Sequence, residues 1–290
     1  EILAHETAHI ISREGGAHNV AWETISTDLL ATDPSYWQLS PETNWHGFPG
    51  MTAGFAMTDP NKLTLLTPGF DLATGAYADH GIPAPVVAQY LRENRIVAEK
   101  NDLNSLLFLL TPGVEASKAG TLISGLVAFK KLHDDNALLD EAIPEFYRRR
   151  AARYAGLRLR DLCADMHGFF READVSGLQA KQFLPEHLPE IALSPHDAAR
   201  CLVRNDVDYL PIDEIGGRIA TTPFVVYPPG IATIVPGERL NERAQPMIDY
   251  LKMFERCFNT FPGFEVEIQG VYKEVDPSGR IRLHTYVVSE

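Results

Sequence analysis

The sequence predicts an α+β chain, and two patterns carry that reading. Residues 62–135 alternate in the order β-α-β-β-α, which describes a small sheet with helices on one face. From about residue 136 the texture changes to several helices, a strand-rich stretch and a closing hairpin. The composition fits a soluble globular fold, with 45% hydrophobic and 22% charged residues in a chain of 290. That length is enough for one large or two ordinary domains.

Each element has its own signal. Residues 1–13 read as the end of a helix closed by Glu14-Gly15-Gly16, and residues 14–60 read as irregular, punctuated by DPSYW, SPETNWHGFPG and TDP. KLTLLTPG (62–69) is a short β-type run ended by Pro-Gly, and IPAPVVAQYLREN (82–94) is an amphipathic helix with proline near its start. RIVAEK (95–100) reads as a strand and SLLFLLTPG (105–113) as a fully buried one. EASKAGTLISGLVAFKKLHDD (115–135) is a long helix, acidic at its start and lysine-rich near its end, as the helix dipole prefers. Residues 137–151 and 157–173 look helical, and SPHDAARCLVRND (194–206) opens with Ser194 as N-cap and Pro195 at the first helical position. Residues 216–238 are strand-rich with Pro-Gly breaks, 245–263 form an apolar-faced helix, and 265–288 read as a hairpin turning at Asp276-Pro277-Ser278-Gly279.

Charge and cysteines narrow the function classes. A net charge of −13 argues against a nucleic-acid partner and mildly for cationic ligands. No apolar run approaches the roughly 20 residues of a membrane span, and no signal-peptide pattern is seen. Cys163, Cys201 and Cys257 form no CxxC, which fits a reducing cytoplasm better than a disulfide framework. The first residue is Glu rather than Met, so the chain reads as a fragment or a processed product.

Several stretches raise chemistry. His5-Glu6-Thr7-Ala8-His9 spells H-E-x-x-H, whose two histidines lie on one helix face and can grip Zn²⁺ while Glu6 activates its water. The extended form fails, because its glycine and third histidine fall on Ser12 and Gly15. A solvated helix terminus is the plainer account, and no metal site is expected. Trp45-His46-Gly47-Phe48 reads as a packing plug in a loop rather than a catalytic group. Tyr227-Pro228-Pro229-Gly230 reads as a rigid turn. Arg148, Arg149 and Arg150, with Arg153, Arg158 and Arg160 beyond, read as a solvated face, with an anion or effector site as the sharper alternative. No G-x-S-x-G, GxGxxG or P-loop is present.

Longer stretches are more specific than any of these motifs. PNKLTLLTPGFDLATGAYADHGIPAPVVAQYLRENRIVAEKNDLNSLLFLLTPG (60–113) closely resembles the bacterial ornithine/lysine/arginine decarboxylases, which use pyridoxal phosphate (PLP). NWHGF (44–48), GGRIATTPFVVYPPGIATIVPGE (216–238) and FPGFEVEIQGVY (261–272) fit the same family at the same relative positions, so the resemblance runs from about residue 30 to the C-terminus. It implies residues 1–60 as an irregular linking segment after a helix end, 61–135 as the small subdomain of an aminotransferase-like fold (PLP fold type I), and 136–290 as the family's C-terminal α+β domain. The family's Schiff-base lysine lies in a Ser-x-His-Lys motif. No His-Lys dipeptide occurs here, so no catalytic residue is expected in this chain, and PLP is expected on the N-terminal cofactor domain that precedes this part in relatives.

The implied reaction is decarboxylation of a basic amino acid, with the cofactor ring absorbing the electrons as CO₂ leaves and the protein supplying position and electrostatics. Ornithine to putrescine ranks first, because EKNDLNSLLFLLTPG most resembles the ornithine enzymes; lysine ranks second and arginine third. The resemblance assigns Glu99 to the substrate's distal ammonium, where spacing alone gives only a surface glutamate beside Lys100 on a short strand. Some lysine-decarboxylating relatives bind guanosine tetraphosphate between subunits through two arginines. These fall on Arg158 and on Leu138, so weak or no binding is expected. The family also implies a cytoplasmic homo-oligomer, dimer or higher. The alternatives are a non-catalytic assembly or binding module derived from the enzyme and, remotely, a zinc peptidase acting through HETAH.

Overall fold

The computed structural model describes residues 25–38, 52–57, 59, 61–72, 74–227 and 230–290. The chain divides into two compact units, Glu1–Pro68 with Ile82–Leu132, and Gly69–Gly81 with His133–Glu290. HETAH at 5–9, the helix end expected over 1–13 and the loop Trp45-His46-Gly47-Phe48 lie outside the described residues, as do Pro228 and Pro229 of the expected rigid turn.

The first unit begins with a correction. Part of the stretch expected to be irregular is a short helix, α1 (Thr27–Thr32), capped by Ser26, whose hydroxyl accepts from the Leu29 N–H at 3.2 Å. Asp33 caps the following 3-10 turn at Pro34–Tyr36. α1 buries none of its residues and so carries no apolar stripe by which its period can be read.

Strand β1 (Lys62–Leu66) comes next. The chain then passes through Gly69–Gly81, which carries the two-residue strands β2 (Phe70–Asp71) and β3 (Ala76–Tyr77) and belongs to the second unit. It returns as helix α2 (Ala84–Glu93), with Pro85 in its first turn. β4 (Lys100–Asn101) and β5 (Ser105–Leu109) follow, and then the long helix α3 (Ala116–Asp134). The sheet is antiparallel in the order β1-β5-β4, with Leu63 opposite Phe108 and Leu65 opposite Leu106. α2 packs on β4 and β5 and buries Val86, Val87 and Leu91, each contributing about 1.5–3 kcal/mol of transfer free energy.

Two expectations fail in this unit. RIVAEK is not a strand until Lys100. Arg95 adopts the left-handed conformation (φ 62°) and Ile96 N–H returns to Leu91 O, so residues 94–96 are spent closing α2. β5 is not fully buried either: Leu106 and Phe108 are inside, Ser105 and Leu107 are half-buried and Leu109 is exposed. A short apolar run does not by itself separate a one-faced strand from a fully buried one.

The second unit holds α4 (Leu139–Ala142), α5 (Pro144–Tyr154), α6 (Leu159–Glu172) and α7 (Val175–Lys181). The helix expected over 137–151 is broken at Ile143, because Pro144 has no N–H to continue α4 and disfavours helical geometry before it. β6 (Glu190–Ile191) follows, then α8 (Pro195–Arg204), with Ser194 accepting from Asp197 N–H as its cap, and β7 (Val207–Pro211). The rest comprises β8 (Phe224–Tyr227), β9 (Ile231–Ile234), β10 (Glu238–Arg239), α9 (Gln245–Thr260), β11 (Glu267–Gln269), β12 (Tyr272–Val275) and β13 (Ile281–Val288).

The strands pair as β12-β13-β7, β11-β8-β9 and β10-β6, each antiparallel. Only residues 272–288 form the closing hairpin, since β11 pairs with β8 instead. The change of sheet happens at Gly270 (φ 79°), where a Cβ would run into the Pro223 carbonyl. α9 covers β13, joining Met247, Leu251, Phe254 and Phe258 to Leu283 and Val287 in the core.

Candidate functional site

Glu99 lies one residue before β4, on the open end of the β4–β5 hairpin. Its backbone N–H donates to Leu107 O at 2.8 Å, so its main chain is in register with β5 although no longer assigned to a strand. Its side chain is exposed, and among the described residues its carboxylate has no hydrogen-bond or ion-pair partner. The arrangement suits capture of a cation: a negative charge on a fixed backbone, not already neutralised.

The closed end of this hairpin was not legible in the sequence. Asp102 Oδ1 accepts from the N–H groups of Asn104 (2.7 Å) and Ser105 (2.5 Å). Leu103 O accepts from Ala84 N–H, and Asn104 O accepts from both Thr67 N–H and Thr67 Oγ1. Thr67 is 2% exposed. A run such as NDLNS holds polar turn-formers but no glycine or proline, so its turn has a weak local signal.

The two positions on which the resemblance places an effector's arginines, Leu138 and Arg158, lie side by side. Leu138 and Arg158 form an isolated antiparallel bridge, with Leu138 exposed. Arg158, at the N-cap of α6, donates to Asn136 O at 2.8 Å. Arg160 donates to His133 O and Asp134 O, the last carbonyls of α3. The other arginines do not converge with them. Arg148 and Arg149 pair with Glu145, Arg150 lies over the Phe146 ring, and Arg153 donates to Thr260 O. Arg148, Arg149, Arg153, Arg158 and Arg160 are all exposed, as a solvated face requires, and Arg150 is half-buried; Arg153, Arg158 and Arg160 also donate to backbone carbonyls.

A further contact went unread in the sequence. His167, 3% exposed on α6, bonds through Nε2 to Ala78 O at 2.8 Å, and Arg171 pairs with Asp79 at 3.0 Å, fastening the 69–81 loop to its unit. Of the cysteines, Cys163 and Cys257 are buried, and burial pushes each thiol up to about 12, which keeps them un-ionised and poor nucleophiles. No group of three or more histidine, cysteine, aspartate or glutamate residues able to hold a metal occurs among the described residues. None of their helices is long and apolar enough to cross a membrane.

PLP, which the resemblance implies, needs a Schiff-base lysine and a cradle for its phosphate. The described residues do not fit it. The shallow hollow lined by Asn61, Leu109, Leu110, Thr111 and Pro112 holds no lysine and no cation. Lys62 pairs with Asp59, Lys118 donates to Gly113 O, and Lys273 lies over the Phe258 ring, where burial lowers its pKa. No chemical step is assigned to the cofactor within this chain.

Comparison with known proteins identifies the family. Residues 4–118 match the family described as Orn/Lys/Arg decarboxylase, major domain, and residues 176–289 match Orn/Lys/Arg decarboxylase, C-terminal domain. The chain is 40% identical over 269 residues to the ornithine decarboxylase of Haemophilus influenzae, covering 93% of this chain and 37% of that protein. It is 41% identical over 267 residues to the constitutive ornithine decarboxylase of Escherichia coli, covering 92% and 37%. Among solved structures, lysine decarboxylase A from Pseudomonas aeruginosa superposes with a TM-score of 0.82 at 32% identity, covering 98% of this chain and 39% of that one. The chain thus spans about 37% of the length of the curated relatives it matches. Two family domains in sequence, on an α+β fold shared with solved decarboxylases, place the chain in the Orn/Lys/Arg decarboxylase family.

Proposed function

We propose that the chain is the C-terminal part of a cytoplasmic, oligomeric PLP-dependent decarboxylase that converts ornithine to putrescine and CO₂, with lysine as second substrate. The cofactor and its lysine belong to the portion of the family fold that precedes residues 61–135, the small subdomain, and 136–290 form the C-terminal domain. This chain supplies the residue that reads the substrate's far end. The supporting observation is the Glu99 carboxylate, exposed and unpartnered among the described residues and fixed through its own backbone to Leu107. A carboxylate suits a compact ammonium point charge better than a planar guanidinium, which prefers two-point contact. Holding that ammonium far from the reacting carbon orients the bond to be broken.

The test is Glu99→Gln in the complete enzyme, this chain joined to the family's cofactor-holding part. The value of kcat/KM for ornithine should fall at least about tenfold, roughly 1.4 kcal/mol of transition-state binding, with unchanged cofactor absorbance. An unchanged rate removes Glu99 from substrate recognition. The same reading expects weak nucleotide binding, because Leu138 stands opposite Arg158 where the phosphate clamp needs a second guanidinium. Leu138→Arg should then strengthen binding of guanosine tetraphosphate at least about tenfold by calorimetry. Tight binding by the unmodified protein contradicts this.

The absence of a His-Lys dipeptide favours a second reading for the chain by itself, an assembly or binding module without activity. The mass of the native gene product distinguishes the two, since a product no longer than these 290 residues could not supply the Schiff-base lysine; stoichiometric borohydride labelling of one lysine in the isolated chain would contradict both.

A further inference from the structure

We infer that Asp102 is the positioning residue for Glu99. This rests on the reading of Glu99 as the group that meets the substrate's distal ammonium. Between Glu99 and the core lies one hairpin. Its open end carries Glu99, joined to Leu107 O through the backbone N–H. Its closed end is the turn Asp102–Ser105, where Asp102 N–H donates to Ser105 O and Asp102 Oδ1 accepts from two further N–H groups. β4 is only two residues long, Lys100 opposite Leu107 and Asn101 opposite Leu106. So short a strand has little pairing of its own with which to hold register. On the other side, residues 94–96 close α2 and add no strand pairing.

The turn is also where the hairpin is fastened to its surroundings. Leu103, 5% exposed, gives its carbonyl to the first turn of α2, and Asn104, 9% exposed, gives its carbonyl to Thr67 at the end of β1. Those two carbonyls face their donors only while the chain makes this tight reversal, and the Asp102 carboxylate bridges the reversal from inside. Removing it frees the Asn104 and Ser105 N–H groups to seek other partners. A slip of one residue would turn Glu99 to the opposite face of the hairpin. Asp102 therefore touches no substrate and acts through the placement of Glu99.

The experiment is a double-mutant cycle on the complete enzyme, using Asp102→Ala, Asp102→Asn, Glu99→Gln and the pair Asp102→Ala/Glu99→Gln, with ornithine as substrate. Asp102→Ala should lower kcat/KM at least about fivefold, chiefly through KM, and Asp102→Asn, which keeps the accepting Oδ1, should stay within about twofold of wild type. In the Glu99→Gln background the alanine substitution should cost less than about twofold, because the group it positions is already gone. Hydrogen exchange of the peptide spanning 96–109 should be faster in Asp102→Ala and normal in Asp102→Asn. Equal losses from Asp102→Ala with and without the Glu99 carboxylate overturn the inference, and so does an alanine variant indistinguishable from wild type while Glu99→Gln is impaired. If Glu99→Gln itself is fully active, the reading of Glu99 falls and this inference falls with it. Should Asp102→Ala not accumulate as folded enzyme, Asp102→Ser, whose shorter hydroxyl keeps only part of the acceptance, takes its place: a smaller loss in kcat/KM that disappears in the Glu99→Gln background is expected, and a loss equal in both backgrounds overturns the inference.

Discussion

Two hairpins in this molecule use one device and spend it differently. At Asp102–Ser105 and at Asp276–Gly279 an aspartate at the start of a tight turn accepts backbone N–H groups ahead of it. Asp276 Oδ1 takes the N–H groups of Ser278 and Arg280 and the Ser278 hydroxyl, and Gly279 (φ 82°) completes a turn whose Pro277, Ser278 and Gly279 are exposed. Everything that shapes that turn is local. The Asp102 turn has its aspartate in common, but Leu103 and Asn104 are buried and their carbonyls are claimed by Ala84 and Thr67. One turn is set by its own residues, and the other is completed by residues distant in sequence. The second kind can hold a functional side chain in place, because it ties the hairpin to the core of its unit.

The contrast can be broken from its buried side with the largest effect. Leu106, fully buried on β5 next to the Asp102 turn, should cost about 2–5 kcal/mol on truncation to alanine, by lost burial and the cavity left behind. Chemical denaturation of the first unit measures this, and a loss below about 1 kcal/mol would mean that the hairpin is not anchored through β5.

The exposed turn sharpens the comparison by its small response. Hydrogen bonds from the Ser278 hydroxyl and the Arg280 N–H hold the Asp276 carboxyl below the usual carboxylate range. A depressed carboxyl stabilises the fold above its unfolded pKa, and that contribution is lost as the pH falls through the folded value. Asp276→Ala should therefore lower Tm slightly at neutral pH, and the difference should vanish on acidification below the ordinary carboxylate range. A pH-independent difference would assign the effect to the backbone of the turn rather than to its charge.

What was legible in the sequence follows the same division. DPSG, the Ser194-Pro195 helix start and the α9 stripe carry their cause within a few residues, and the structure has each of them. RIVAEK has the composition of a strand, yet α2 claims its first residues for a left-handed closure centred on Arg95, whose side chain gives no sign of it. SLLFLL reads as buried because its residues are apolar, whereas only alternate ones face the core. The break at Ile143 has a plain cause in Pro144 that the helical periodicity of 137–151 conceals. For the site, the resemblance pointed to Glu99, but the support proposed beneath it combines Asp102 bonds to N–H groups two and three residues ahead with Thr67–Asn104 bonds across 37 residues, and neither leaves a periodic trace. The pairing of Leu138 with Arg158 likewise appears only once the stretch from His133 has folded against the start of α6 within the second unit.

The central claim is that this chain chooses the amino acid through a single carboxylate that meets a compact ammonium. It is tested most directly by kcat/KM for ornithine, lysine and arginine, measured side by side on the complete enzyme and on its Glu99→Gln variant. The account predicts the order ornithine, lysine, arginine for the wild type, and a variant in which ornithine has lost at least about tenfold and most of its lead over arginine. A wild type that prefers arginine, or a variant that keeps the full preference for ornithine, would contradict it.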